Sequence, residues 1–511
     1  MKSVDLQAEN AALKTEVAEL KTLVKYYEEQ FRLSRHRQFG VSSEKSQYDF
    51  DQLCIFNEPE LTADANIPEP ELQEIEKHYR RRTRVTLDKL PTDLPVEVVE
   101  HELPEDQQLC PECGGTLHVM GRDSRRELVI IPAQVKIREH VRKIYACRDC
   151  ERDEYGVPIE KAPVSEPIIK GGFASPEAVA YIMAQKFIMG IPLYRQEQEL
   201  LRQGIPLSRQ TMSNWLIKAT ESWLVPIYEM LHEMLSLQNV LHADETTVQV
   251  LREPGKAAQS KSYMWLYRTS GDAAHPVVLY DYQPDRKALR PQAFLKDFKG
   301  FLHADGYDVY HKLPECICVV GCWAHLRRKF DEALKVVAAA TQENSLALTG
   351  KRYCDKLFAL EREFEGLSPQ QRYEMRMESS KPLMEAFFAW VNSCGALPKS
   401  QVGRAVHYAN SQKKYLQAYL LDGRLEISNN RAERSIKPFV IGRKNWLFAN
   451  TPRGARASAV IYSIIETAKE NGLNPYDYLL HVFERAPNLE MQNQEHLDML
   501  MPHSFKHAAR A

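Results

Sequence analysis

The first residues of the chain place apolar side chains in a heptad repeat. Leu6, Leu13 and Leu20 recur at seven-residue intervals, valines occupy the intervening core position, and Asn10 shares that position. Apolar residues spaced by 3.5 positions on average make two helices wind around each other, and one buried Asn fixes their register. The pattern predicts a coiled-coil dimerisation helix over residues 1–34. An amphipathic helix packed on its own domain is the alternative.

The next segment loses this periodicity. "RLSRHRQFGVSSEKS" is basic and turn-like, and "IFNEPELTADANIPEPELQEIE" is acidic, rich in proline and without a repeat. Such composition cannot bury a core and is typical of a linker. We therefore interpret residues 35–95 as a basic hinge followed by an acidic linker.

A strand-like pattern follows, framed by two pairs of cysteines. "ELVIIPAQVKIREHVRKIYA" alternates and is rich in Val and Ile, which predicts β-hairpins. "CPECGG" precedes it and "CRDC" follows it, and two C-x-x-C pairs can hold a tetrahedral Zn²⁺. Four thiolates leave no open coordination position, so the predicted zinc is structural; four free or redox-active cysteines are the alternative. The predicted zinc ribbon spans residues 96–160, with ligands Cys110, Cys113, Cys147 and Cys150.

Helical periodicity begins after residue 165. "ASPEAVAYIMAQKF", "PLYRQEQELLRQG" and "IPLSRQTMSNWLIKATE" predict three helices, with Ser175 and Ser208 as N-caps and Gly204 ending the second. We interpret residues 165–232 as a helix-turn-helix-like DNA-binding domain, although small helical bundles that bind no DNA look similar. In this motif the first turns of the last helix read base edges. The candidate DNA-binding residues there are Arg209, Gln210 and Asn214.

The following hundred residues alternate between strand and helix patterns. "NVLHAD", "SKSYMWLYRTS" and "HPVVLYDYQ" predict three strands, and helix, strand, helix, strand and helix follow in turn. This is the element order of a ribonuclease H-like fold, in which the first and fourth strands are neighbours in the middle of the sheet. Residues 236–330 are therefore the predicted first part of such a core.

The tetrapeptide LHAD ends two of these strands. It places Asp244 at the end of the first strand and Asp305 at the end of the fourth. Adjacent strands would bring the two carboxylates together, and that arrangement is costly unless a cation compensates. Carboxylate oxygens are ligands that Mg²⁺ prefers. The repeat predicts one metal cluster, unless both aspartates are simple strand-end turn residues.

A third acid lies in the segment "EISNNRAERSIKPFVIGRKNW". Ser428 is the expected cap of its helix; Glu426 precedes the helix, and Glu433 lies one turn inside, where it can face the sheet. We favour Glu433 as the third ligand. Residues 331–425 are helical in pattern and predict an all-α insertion. Residues 426–482 then form the second part of the core, and 483–511 form a tail.

Basic side chains surround these acids. Seven Lys or Arg residues accompany Glu433 between positions 431 and 456, and three follow "GCWAH" in "GCWAHLRRKF". Such side chains can neutralise phosphates, but ordinary surface residues would produce the same pattern. The candidate DNA contacts are Arg327, Arg328, Arg434, Lys437, Arg443 and Lys444.

Overall charge gives no sign of a nucleic-acid partner. The chain has 67 Lys and Arg against 69 Asp and Glu, so any DNA must bind at local basic patches. The amino end lacks a signal-peptide pattern, and no stretch of eighteen apolar residues occurs. We expect no membrane association and a cytoplasmic location, at the bacterial nucleoid.

The motif order resembles that of a known family. "LHADETTVQV", "HADGYDVY", "GCWAHLRRKF" and "NNRAERSIKPFVIGRKNWLF" are similar to motifs of the insertion sequence 66 family of bacterial DDE transposases. The resemblance implies a multidomain α/β protein. It would have a ribonuclease H-like catalytic core with an all-α insertion, preceded by coiled coil, zinc ribbon and helix-turn-helix. Many members carry Asp where Ser428 stands here, which removes the main competitor of Glu433.

The same resemblance implies a mechanism and partners. Asp244, Asp305 and Glu433 would hold catalytic Mg²⁺ or Mn²⁺ for DNA end cleavage and strand transfer, beside the structural Zn²⁺. The expected partners are terminal inverted repeats and target DNA, a homodimer or higher synaptic assembly, and two small accessory proteins. Two alternatives are another ribonuclease H-like nuclease and a catalytically inactive, dimeric zinc-ribbon DNA-binding regulator.

Overall fold

A computed structural model describes Lys14, Val17 and residues 134–146, 159–338 and 341–505 of the 511-residue chain. Lys14 and Val17 are helical and exposed, and the rest of the predicted coiled coil lies outside the described residues. So do the predicted hinge and linker. The four predicted zinc ligands, Cys110, Cys113, Cys147 and Cys150, are likewise outside them.

One compact unit spans Ser43–Ala162. In its described part, strand β1 (Ile144–Ala146) pairs antiparallel with β2 (Ile159–Lys161), and Arg142 donates to the carbonyl of Ala162. The predicted strand pattern ended at Ala146 as expected, but residues 134–143 form no strand. Among the described residues the Ala162 N–H donates to the Lys143 carbonyl, but no partner strand extends along residues 134–142, so alternation alone was not sufficient.

The other unit holds the three predicted helices. They are α1 (Pro176–Phe187), α2 (Leu193–Arg202) and α3 (Arg209–Ala219). Both predicted caps are confirmed: Ser175 accepts from the backbone N–H of Ala178, and Ser208 accepts from that of Thr211. Gly204 follows α2 with a φ of +79°, a conformation that favours glycine. A π-helical turn (Thr220–Leu224) joins α3 to α4 (Val225–Ser236).

A five-stranded mixed sheet follows. Its strands are β3 (Val240–Gln249), β4 (Lys261–Thr269), β5 (Val278–Gln283), β6 (Gly300–His303) and β7 (Ile317–Val320). The spatial order is β5-β4-β3-β6-β7. The first three strands are antiparallel, and β6 and β7 run parallel to β3. The predicted adjacency of the first and fourth strands is therefore confirmed.

One predicted helix of this region is wrong. Helix α5 (Leu289–Phe294) joins β5 to β6 as expected, but only a 3₁₀ turn, Tyr310–Lys312, stands between β6 and β7. Leu313 is extended and precedes Pro314, whose ring disfavours a helical residue before it. The proline stops the turn before a helix can propagate.

Helices fill the rest of the chain. Their bounds are α6 (Trp323–Lys335), α7 (Leu346–Glu363), α8 (Pro369–Met375), α9 (Lys381–Ser393), α10 (Gln401–Ser411), α11 (Lys413–Gln417), α12 (Asn430–Trp446), α13 (Pro452–Glu470), α14 (Pro475–Arg485) and α15 (Gln494–Leu500). None of the helices in the described ranges is long and apolar enough to cross a membrane.

Helix α13 closes the outer edge of the sheet. The backbone N–H groups of Val278 and Tyr280 on β5 donate to the hydroxyls of Thr467 and Ser463 on this helix. An edge strand would otherwise present unpaired groups to other chains. The helix therefore satisfies the β5 edge of the sheet. The predicted strand end at Asp244 is wrong, because β3 continues to Gln249, whereas Asp305 lies two residues beyond the end of β6.

Helices α6 to α11 build a second apolar core beside the sheet, around buried Trp323, Phe330 and Phe387. Arg376 lies fully buried in it, donates to both oxygens of Glu361 at 2.8 and 2.6 Å, and also bonds the carbonyls of Tyr419, Asp422 and Leu425. The described residues of 331–425 form helices and turns and contain no strand.

Arg376→Met is expected to destabilise the protein by about 3–5 kcal/mol, because removing one partner leaves the Glu361 carboxylate uncompensated in the core. Urea denaturation followed by circular dichroism measures the change. Arg352→Met is the matched control: its pair with Glu343 is exposed, so its expected loss is less than about 1 kcal/mol. Equal losses in the two variants would contradict the role assigned to Arg376.

Candidate functional site

The parallel register of β3 and β6 brings two acids to the same place. His242 lies opposite His303, and two positions further along come Asp244 and Asp305. Each carboxylate accepts a nearby backbone N–H: Asp244 from Glu245 at 2.8 Å, and Asp305 from Tyr307 at 2.9 Å. Both LHAD repeats therefore deliver a carboxylate to the same region of the sheet.

The electrostatics of this region are those of an uncompensated acidic cluster. Burial, together with the charges of Glu245, Asp305 and Glu433, raises the pKa of Asp244 to about 8 against the lowering effect of its backbone hydrogen bond. Desolvation and like charge both disfavour ionisation. Asp244 thus feels the charge of both other predicted acids, and the cluster favours a bound cation.

Glu245 is an acid of this site that the sequence interpretation missed. Its side chain is 1% exposed and accepts hydrogen bonds from Arg286 and from the hydroxyl of Tyr310. Burial, and then the charge of Asp305, raise its pKa. The guanidinium of Arg286 lies 3.5 Å from the ring centre of Tyr307. The consecutive acids in "HADE" were the available signal.

Glu433 lies in the first turn of α12 and faces α6. Its Oε2 accepts from Arg328 at 3.3 Å, while its Oε1 lies 3.5 Å from His325 Nε2 and has no hydrogen-bond partner. Burial alone would lower the pKa of His325, but Cys322 and Glu433 favour the protonated ring and raise it to about 9. The predicted Ser428 cap is wrong, since Asn429 occupies the N-cap position.

The three predicted acids do not all converge. Across the described ranges, Asp244, Asp305 and Glu433 are not a set whose ligand atoms all lie within 4.8 Å of one another. Glu433 instead shares such a set with Cys322 and His325. The charge of Glu433 therefore still acts on Asp244, but the carboxylate contacts Arg328 and His325 of α6.

The donors nevertheless fit a divalent cation. Carboxylates form the set, burial and neighbouring negative charge raise the pKa of Asp244, and the Oε1 atom of Glu433 is buried without a partner. Each feature is relieved by a hard cation. The residues present thus suit Mg²⁺ or Mn²⁺.

The repeated histidines connect the two strands to the start of α12. The rings of His242 and His303 are fully buried and stack with centroids 4.3 Å apart. His242 Nδ1 lies 3.0 Å from Asn429 Oδ1, which can only accept, so this nitrogen carries the proton. Asn429 Nδ2 donates to the Ala243 carbonyl, and the Glu426 N–H donates to His303 Nε2. Residues 426–429 are thereby fixed to both aspartate-bearing strands.

Asn429→Ala is expected to destabilise the protein by about 1–3 kcal/mol, because it leaves the His242 N–H and the Ala243 carbonyl unsatisfied in the core. Thermal melting detects the loss. Asn430→Ala, at the partly exposed next position, is the control and should melt close to the wild type. If the two variants melt alike, the buried network does not hold α12.

The candidate base-reading residues lie on α3 and are exposed. Gln210 donates to Asn214 at 3.2 Å, and Arg209 lies 3.9 Å from a carboxylate oxygen of Glu197 and over the ring of Tyr194. The helix is held from the other side by its buried residues, which include Met212, Trp215 and Leu216. The helix thus presents a polar face on a rigid support.

The other candidate DNA contacts divide into two groups. Arg327 pairs with Asp355, and Arg443 donates to the Thr246 hydroxyl at 3.2 Å and to the Thr247 carbonyl. The Arg327 guanidinium therefore links α6 to α7, and the Arg443 guanidinium links α12 to β3. The exposed members on α12 are Arg434, Lys437 and Lys444, while Arg328 contacts Glu433.

Comparison with known proteins identifies the family. The model described as "Transposase IS66 family" matches residues 171–457, more than half of the chain. The chain belongs to the IS66 transposase family. Further matches are the zinc-finger binding domain of transposase IS66 at residues 107–151, the IS66 C-terminal element at 463–503, and the model described as "Transposase C of IS166 homeodomain" at 26–99.

Similar proteins occur in Sinorhizobium fredii (strain NBRC 101917 / NGR234). Uncharacterized protein y4qI is 33% identical over 80% of this chain and 75% of its own length, and y4hP is 31% identical over 82% and 77%. Protein y4jD is 30% identical over 82% and 81%.

These IS66 matches support a transposase with DNA as its partner and with structural Zn²⁺ in residues 107–151. The choice of Cys110, Cys113, Cys147 and Cys150 as the zinc ligands stays a prediction, because these residues lie outside the described ranges.

Proposed function

We propose that this IS66 transposase cuts the ends of its mobile element and joins the resulting 3′-hydroxyls to target DNA, with Asp244, Asp305 and Glu433 as its catalytic acids. The observation that carries the proposal is the β3–β6 register, which pairs His242 with His303, each two residues before Asp244 or Asp305. Three antiparallel strands followed by two parallel ones support a ribonuclease H-like core.

In this proposal the three carboxylates hold Mg²⁺ or Mn²⁺. When bound, such ions activate an attacking water or hydroxyl and stabilise the leaving oxygen in phosphoryl transfer. Glu245 remains paired with Arg286 and Tyr310, so it keeps the middle of β3 fixed rather than binding the ion. For Glu433 to join the two aspartates, its side chain leaves Arg328 and His325.

The remaining residues bind and orient DNA. Arg434, Lys437 and Lys444 lie exposed on the helix that carries Glu433, so a phosphate backbone held by them would lie beside the acids. Arg209, Gln210 and Asn214 on α3 would read base edges of the element end. A dimer formed through the heptad of residues 1–34 would supply two such readers for the two ends.

The test uses the full-length chain with DNA carrying the ends of the element that encodes it. With Mg²⁺ or Mn²⁺, we expect cleavage at the element end, and pre-cut ends with a free 3′-hydroxyl should join a target plasmid. Cleavage without joining would favour another ribonuclease H-like nuclease. Binding of the ends with neither reaction would favour an inactive regulator.

A further inference from the structure

The Glu433 side chain takes part in a second cluster of metal-binding groups. Cys322 stands at the N-cap of α6, His325 lies in its first turn, and one ligand atom of each lies within 4.8 Å of the other and of a Glu433 oxygen. Cys322 is fully buried, and its sulfur accepts the backbone N–H of Asn429 at 3.2 Å. A backbone donor of this kind stabilises a thiolate, the form in which cysteine binds metals.

The distance within the cluster suits a coordinated ion. His325 Nε2 and Glu433 Oε1 are 3.5 Å apart, and the Glu433 atom has no hydrogen-bond partner. Two donors on a tetrahedral Zn²⁺, with bonds of about 2.0–2.1 Å, are separated by about 3.4 Å. The pair is thus spaced like two neighbouring ligands of one metal ion.

We propose that Cys322, His325 and Glu433 form a binding site for a thiophilic divalent cation of the Zn²⁺ class. Sulfur and imidazole ligands select Zn²⁺ over Mg²⁺, which prefers oxygen. This set shares only Glu433 with the proposed catalytic set of Asp244, Asp305 and Glu433. Binding releases to solvent the thiol proton of Cys322 and, from the protonated ring of His325, the proton on the nitrogen that takes the metal.

The site has a regulatory consequence, and this part rests on the proposed function. Glu433 cannot bind the ion of this cluster and a catalytic ion at the same time. The other ligands of the first ion, Cys322 and His325, belong to α6, whereas those of the second, Asp244 and Asp305, belong to the sheet. Occupancy by Zn²⁺ keeps Glu433 on α6 and withdraws it from catalysis. Zn²⁺ is therefore an inhibitor of cleavage supported by Mg²⁺.

Metal uptake tests the site without reference to activity. The full-length chain, stripped of metal and kept in millimolar Mg²⁺, is titrated with Co²⁺, whose thiolate bonds absorb in the near ultraviolet. Wild type is expected to bind one more equivalent per chain than Cys322→Ser, while the predicted four-cysteine site fills in both. Cys316→Ser removes an exposed thiol outside the cluster and should bind as wild type does. Equal uptake by wild type and Cys322→Ser overturns the proposal.

A second variant guards against misfolding. If circular dichroism shows that Cys322→Ser does not fold, His325→Asn carries the same test, with the same expected loss of one equivalent. In the activity measurement, the cleavage rate of each protein is compared with its own rate without Zn²⁺. The Zn²⁺ concentration that halves this rate should be at least about tenfold higher for the variant than for the wild type, as expected when a metal site is weakened. A chain that takes up the extra ion but never cleaves DNA would refute the proposed function and leave the site intact.

Discussion

Replacing Asp244 with Asn is expected to reduce DNA end cleavage by at least about three orders of magnitude, the scale of loss when a member of a catalytic set is removed. Asn keeps the size of the side chain but loses the charge that a divalent ion requires. Single-turnover cleavage of element-end DNA in saturating Mg²⁺ measures the effect. Undiminished cleavage would remove Asp244 from the mechanism.

The same substitution should stabilise the metal-free protein, which a purely structural aspartate would not do. Asp244 has a folded-state pKa of about 8 against an ordinary 3.8. Because this pKa is raised, the contribution of Asp244 to the free energy of unfolding is greatest below about pH 4 and is lost as pH rises through 8. Asp244→Asn removes that loss, so we expect a gain of about 1–3 kcal/mol at pH 8 that vanishes near pH 4.

Asp285→Asn is the control with the opposite sign. Its hydrogen bonds to Arg290 hold the pKa of Asp285 below its usual value, so this carboxylate stabilises the fold above about pH 4. The variant should melt slightly below wild type at neutral pH. Thermal melts of both variants between pH 4 and pH 8, without metal, should diverge in opposite directions as pH rises.

The parts of the fold that the sequence predicted depend on local or periodic signals. Ser175 and Ser208 cap their helices because N-cap chemistry acts over three residues. The adjacency of β3 and β6 followed from element order, because few connections suit three antiparallel strands followed by alternating elements. Their register pairs His242 with His303, so Asp244 and Asp305 follow the paired histidines at the same spacing.

What the sequence did not reveal depends on contacts between distant residues. Asn429 forms a hydrogen bond with His242, 187 positions away in the sequence. Asn429 is also the N-cap residue of α12, the position that Ser428 was expected to fill. Each LHAD repeat contains a histidine as well as the aspartate. The role of these buried histidines could not be predicted, because it depends on partners far away in the sequence. The contact of Glu433 with Arg328, 105 positions away, was likewise invisible in the sequence.

Glu433→Gln is expected to lower cleavage by about three orders of magnitude or more, while Glu426→Gln lowers it by less than about tenfold. Glu426 precedes α12 and Glu433 lies in its first turn, so both were candidates for the third ligand. Glu433 raises the pKa of Asp244 through its charge and is therefore electrostatically part of the acidic cluster. Single-turnover cleavage of element-end DNA under identical conditions compares the two variants.

Glu426 occupies a different environment. Its Oε1 accepts from Arg431 at 2.7 Å and lies 3.9 Å from His242 Nε2, so its carboxylate already has a cationic partner beside the histidine pair. Glu426→Gln keeps the backbone N–H that bonds His303 and should retain the fold. If Glu426→Gln instead abolishes cleavage and Glu433→Gln does not, the third catalytic acid lies before α12. The contacts of Glu433 with α6 would then serve only to hold α6 against α12.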